Sequence, residues 1–198
     1  MIKKCTNNIL LLLFIATGFF ITSCSDDPSS VDTEGPGEVE LITQVTVELE
    51  ELDAQDNPTG RNSIVQWTDE DGPGGDAPTI GTLALTPGVS YRGNIDLQNT
   101  TEDPPESITE EVEEEAEDHQ FFYDYDGNGI TIERTDTDSK GLLLGLQFDV
   151  AVSADATDGS LRIQLLHFED AEKNSNDFPS NQTGIDTDVD ITIPVTLN

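Results

Sequence analysis

Leu41-Ile42-Thr43-Gln44-Val45-Thr46-Val47-Glu48-Leu49-Glu50 is the stretch on which the fold turns. Leu41, Thr43, Val45, Val47 and Leu49 hold one phase, and Ile42, Gln44, Thr46, Glu48 and Glu50 hold the other. Successive side chains of an extended chain point to opposite faces, so this run predicts a strand with one buried side and one wet side. The period of two returns at Val89, Tyr91, Ile95 and Leu97, with Gly93 where a bulge or close packing fits. Leu142, Leu144, Leu146, Phe148, Val150 and Val152 keep it over eleven residues; Leu161, Ile163 and Leu165 continue it. Val189, Ile191, Ile193, Val195 and Leu197 close the chain in the same way.

Four shorter segments, at 63–68, 79–85, 120–125 and 130–134, bring the expected strands to about nine. Loops rich in Gly, Asp, Asn and Pro join them, such as Asp71-Gly72-Pro73-Gly74-Gly75 and Asp126-Gly127-Asn128-Gly129. Alternation with one polar face belongs to antiparallel sheets, because parallel sheets are covered on both sides. The expected fold is all-β, an antiparallel immunoglobulin-like β-sandwich, with a closed barrel as the alternative. One short acidic helix interrupts it. Ser107-Ile108-Thr109-Glu110 has the spacing of a capping box, and the helix is expected to run to about Asp118. Glu110, Glu111 and Glu113 would sit near its positive end.

The N-terminus reads differently. Lys3 and Lys4 precede an apolar run at residues 9–21 that is too short to span a bilayer comfortably, and small residues follow. Ile21-Thr22-Ser23-Cys24 resembles a bacterial lipobox, in which the cysteine is acylated and becomes residue one. The alternatives are a single membrane anchor or an ordinary signal peptide. The expected organisation is a signal peptide at 1–23, lipidated Cys24 with a flexible acidic tether to residue 39, and a sandwich domain at 40–198. Acyl chains of the palmitate type on Cys24 would hold the protein on its membrane. A coil the length of the tether reaches about 20 Å. Ser25-Asp26-Asp27 resembles the surface-export signal of Bacteroidota lipoproteins, so the outer membrane and its outer face are the expected location.

Eight Lys and Arg stand against 41 Asp and Glu, a net charge of −33, and loss of Lys3 and Lys4 makes the remainder two charges more negative. Such a surface repels nucleic acid and draws cations. Of the two cysteines, Cys5 leaves with the signal and Cys24 carries lipid, so neither a disulfide nor a thiolate metal site is expected.

Two histidines remain, His119 and His167. On a helical period Glu115 and His119 lie one turn apart, on the face that carries Val112 and Ala116. His167 follows Leu161, Ile163 and Leu165 at even spacing and so points to the core side of its strand. Glu115, His119 and His167 would suit Zn²⁺ or another borderline divalent ion, against the plainer alternative of packed, hydrogen-bonded histidines. Asp124, Asp126 and Asn128 match the first three ligand positions of a calcium loop. Thr135 stands where that loop needs Glu, and the flanks read as strands. Asp136-Thr137-Asp138 and Asp69-Glu70-Asp71, with Asp76, offer further oxygens for Ca²⁺, or simply form turns.

No nucleophile elbow or phosphate loop is present, and with so many acids a carboxylate pair carries no information. Trp67 sits in an alternating strand, where packing explains it, as it does Tyr91, Tyr123 and Tyr125. A non-enzymatic binding protein that captures a divalent metal or other cationic ligand for an outer-membrane receptor is the expectation, with a structural or adhesive sandwich that contacts protein or glycan as the alternative.

Several stretches resemble a family of small, uncharacterised Bacteroidota lipoproteins. They are the lipobox with its acidic flank, Trp67-Thr68-Asp69-Glu70-Asp71-Gly72, Tyr91-Arg92-Gly93-Asn94-Ile95, and the segment from Ile108 through Glu115 and His119 to Tyr123. Some members are described as a type 1 periplasmic binding fold, which implies solute binding, although the strand pattern here is not that of a two-lobed α/β protein. The resemblance implies an envelope lipoprotein working beside a TonB-dependent receptor, and it transfers no catalytic residue.

Overall fold

A computed structural model describes residues 40–198. The signal peptide, Cys24 and the tether fall outside the described residues. In chain order the strands are β1 (Gln44–Leu52), β2 (Pro58–Thr68), β3 (Thr79–Ile80), β4 (Leu83–Leu85), β5 (Ser90–Asn99) and β6 (Glu106–Ser107). After helix α1 (Ile108–Glu114) come β7 (His119–Tyr125), β8 (Ile130–Arg134), β9 (Gln147–Val152), β10 (Gly159–His167) and β11 (Asp186–Leu197). They form a sandwich-like pair of sheets. One has the order β3-β2-β1-β5-β9-β8, with β6 added to β5; the other has the order β4-β11-β10-β7.

Alternation builds the core. Val45, Val47 and Leu49 of β1 are buried while Thr46, Glu48 and Glu50 are half-exposed, and the same rhythm holds along β5, β9 and β11. Phe121, Ile163, Leu165 and Ile193 of the second sheet meet this face in one continuous cluster. Burial of that apolar area is the main stabilising contribution. Gly93 is a point of close packing. A Cβ there would come within 2.4 Å of Phe148 and 2.7 Å of Leu49. The G93A variant is expected to lose about 1–3 kcal/mol by overpacking, seen as a lower urea midpoint; an unchanged midpoint would contradict this packing.

The structure departs from the sequence reading in four places. Residues 79–85 are not one strand: the chain breaks at Gly81 and delivers β3 to one sheet and β4 to the other. β4 runs parallel to β11, the one parallel pair among otherwise antiparallel ladders of the described residues. The 142–152 run also breaks, because Gly145 has φ of 102°, a left-handed value that favours glycine. On either side of it, the Leu144 carbonyl accepts from Phe121 of the second sheet and the Leu146 carbonyl from Ile95 of the first. The alternating leucines therefore stitch the sheets together instead of extending β9. Asp136 holds this break by accepting from the Gly145 and Leu146 amides at 2.7 and 3.0 Å.

The fourth departure matters most for function. Ser107 caps α1 by accepting from the Glu110 amide at 3.4 Å, but the helix ends at Glu114 rather than near Asp118. Glu113, Glu114, Glu115, Glu117 and Asp118 crowd the negative end of the helix dipole, and its last turn holds no basic residue. A turn closed by the Asp118 amide on the Glu115 carbonyl follows, and His119 begins a strand. No helix among the described residues is long and apolar enough to cross a membrane.

Candidate metal centre

The register of the second sheet brings the two histidines together. His119, first in β7, pairs directly with His167, last in β10. Their rings stack with centroids 4.3 Å apart and 26° between planes. Both residues share the phase of the buried Phe121 and Leu165, so both point inward.

Asp188 joins them through a β-bulge. Between β10 and β11 the pairing steps from Leu165↔Val189 to Leu166↔Thr187, leaving Asp188 unmatched. Regular alternation would turn Asp188 outward with the exposed Asp190. The extra residue re-aims it, and its side chain is fully buried. The fourth member is Glu40, in the lead-in to β1 of the other sheet. Thr43 fastens that lead-in, with its amide on the Gln98 carbonyl and its hydroxyl against Thr100.

One ligand atom from each of Glu40, His119, His167 and Asp188 lies within 4.8 Å of the others. His119 Nδ1 is 3.1 Å from the Glu115 carbonyl oxygen. A carbonyl can only accept, so Nδ1 carries the proton and Nε2 is the ligating nitrogen of the neutral ring. That Nε2 is 3.4 Å from Glu40 Oε1 and 3.7 Å from Asp188 Oδ2. Among the described residues Nε2, Glu40 Oε2 and both Asp188 oxygens have no hydrogen-bond partner. A nitrogen lone pair facing two buried carboxylates is unstable unless a positive charge sits between them, as a proton or a metal ion.

The protonation energetics report the same crowding. Burial pushes the Asp188 carboxyl up to about 7, helped by the Glu40 charge. Burial is also the largest influence on Glu40 and opposes its ionisation, but contact with His119 and its own amide outweigh it and hold the carboxyl below its ordinary value. For His119 burial acts downward, and Glu40, the Glu115 carbonyl and Asp188 overcome it to raise the imidazole above its usual range.

This buried group of Glu, His, His and Asp could hold a metal ion. Bonds of about 2.0–2.1 Å in a tetrahedral site put ligands about 3.3 Å apart. The cluster must close by about 1.5 Å at its widest, and the rings must splay for both to point at one ion. The surroundings already hold the first ligand in place. The Glu115 carbonyl fixes the ring of His119, as outer partners do for ligating histidines. Lys173, itself buried, donates to the Ala116 and His119 carbonyls at 2.8 and 2.9 Å and pairs with Asp138 at 2.9 Å.

No protein-family model matches the chain, and no curated protein or solved structure shows significant similarity to it. The site therefore stands on its geometry.

Of the residues singled out from sequence, His119 and His167 meet. Glu115 does not bring its carboxylate to them. The helix that would have carried Glu115 and His119 on one face stops short, so the Glu115 side chain is exposed and its backbone carbonyl is what reaches His119. Cys24 lies outside the described residues. In the calcium-loop motif, Asp124 stands opposite Arg162, Asp126 accepts from the Ser160 amide, and the Asn128 amide donates to Thr157 Oγ1 at 3.1 Å. Those are strand-pairing and turn roles. Asp71 likewise accepts from the Asp76 amide at 2.8 Å, and Asp138 from the Lys140 and Leu142 amides.

Sequence reasoning missed Glu40 and Asp188. Asp188 occupies the polar phase of the run that begins at Val189, and only a bulge reverses it. Glu40 is one acid at the edge of an acidic tether. The signal that could have helped is composition: in so anionic a chain, acids are the most abundant partners for two inward-facing histidines.

Proposed function

We propose that this chain is the metal-binding module of a cell-envelope lipoprotein, non-enzymatic, and that it takes a divalent transition metal, Zn²⁺ foremost, at Glu40, His119, His167 and Asp188. The observation that carries the reading is His119 Nε2: buried, without a hydrogen bond, its tautomer set by the Glu115 carbonyl, and facing two carboxylates. Two imidazoles with two carboxylates favour Zn²⁺ over Ca²⁺, which seeks six to eight oxygens. Four protein ligands in the interior leave no open coordination position, which suits binding rather than catalysis. The anionic surface concentrates cations around the molecule. In this proposal Cys24 carries the lipid, the outer membrane is the location, and a TonB-dependent receptor is the partner that receives the metal.

Calorimetric titration of the chelator-stripped full chain in detergent tests the proposal. One saturable zinc per chain is expected, undiminished by millimolar calcium. Absence of saturable binding by zinc, copper or manganese would remove it.

A second reading, an adhesive sandwich that contacts protein or glycan, is favoured by a cavity of about 580 Å³. Residues 168–185 line it, and the half-exposed ring of Phe178 opens onto it. That reading calls for zinc-independent stability and a partner recovered by surface crosslinking.

A further inference from the structure

His119, His167 and Asp188 all belong to the sheet of β7, β10 and β11, whereas Glu40 comes from the chain entering β1 of the opposite sheet. The lead-in is secured from Ile42 onward: Ile42 is buried and Thr43 is hydrogen-bonded on both its amide and its hydroxyl. The two residues before it differ: Glu40 is buried, with its carboxylate against His119. Leu41 is 40 % exposed. The Glu40 carboxylate faces His119, His167 and Asp188. Glu40 Oε2 is buried without a hydrogen bond. Keeping a carboxylate in that position costs free energy unless a proton on His119 or a metal ion compensates it.

We infer that the bound metal acts as a clasp, fastening the N-terminal entry of the domain to the opposite sheet through Glu40. This inference rests on the proposed metal site and adds a consequence for it. By reciprocity, an ion that binds better when Glu40 is docked must favour the docked state of the entry segment by the same factor. Leu41, beside Glu40, would then report whether the site is filled. Glu40 is the ligand that can leave without disturbing a sheet, so it is also the route by which the ion departs.

Backbone ¹⁵N relaxation on the full chain in detergent, with one equivalent of zinc and with chelator, tests the clasp. The order parameter at Leu41 is expected to rise from below about 0.6 with chelator to about 0.85 with zinc, while Val45 in β1 stays rigid in both. The variant Glu40→Ala retains three ligands; it is expected to bind zinc more weakly and to leave Leu41 mobile in both states. Saturable zinc binding with Leu41 unchanged, or with the same ordering in Glu40→Ala, would overturn the clasp and leave the metal site standing. No zinc binding by the wild-type chain would overturn both.

Discussion

Replacing Lys173 with Met is expected to destabilise the domain by about 3–5 kcal/mol, read from urea unfolding followed by Trp67 fluorescence. Lys173 is 2 % exposed, and its ammonium pairs with the buried Asp138 while donating to the Ala116 and His119 carbonyls. Methionine fills the space and keeps none of these contacts. Asp138 would be left ionised in the interior with only the Lys140 and Leu142 amides, and two carbonyls would lose a donor. Removing both charges together, as Lys173→Met with Asp138→Asn, is expected to recover much of the loss, because an unpaired buried charge costs more than a missing pair. A single-variant change within about 0.5 kcal/mol, the range of ordinary surface substitutions, would contradict this account of the pair.

The second large effect concerns the histidine whose Nε2 faces the carboxylates. Zinc at a thousand times its Kd is expected to stabilise the wild-type chain by about 4 kcal/mol, and His119→Ala by a negligible amount. Even an outer-sphere partner of a metal ligand contributes about 10–100-fold in affinity, so loss of this ligand should exceed that range. Asp188→Asn separates binding from folding. It removes a carboxyl held near 7 by burial and by Glu40, and it is expected to leave the metal-free chain at least as stable while zinc no longer stabilises it. Thermal melts with and without zinc read both variants. Equal zinc stabilisation of wild type and His119→Ala would place the ion elsewhere.

The fold was largely legible because its evidence is local. Each of the nine expected segments contains strand, and the alternation of Val45, Val47 and Leu49 with polar partners appears directly as burial. What was hidden lies where a single residue changes phase or sheet. Gly81 passes the chain between sheets, Gly145 ends a strand whose period the leucines continue, and the step at Asp188 turns a polar-phase acid inward. None of these alters composition or period. The site divides the same way. The inward direction of His119 and His167 follows from parity with Phe121 and Leu165, but their pairing is a matter of register, which one strand cannot show by itself. Glu115 contributes its backbone carbonyl and not its side chain, because the helix ends at Glu114 before the acidic run that follows α1.

Zinc K-edge X-ray absorption on the zinc-loaded full chain tests the central claim most directly. The predicted spectrum has about four nitrogen and oxygen neighbours at about 2.0–2.1 Å, with the outer-shell signature of two imidazoles and no sulfur. A shell of six oxygens without imidazole scattering would contradict it, since zinc would then rest on surface carboxylates and not on His119 and His167.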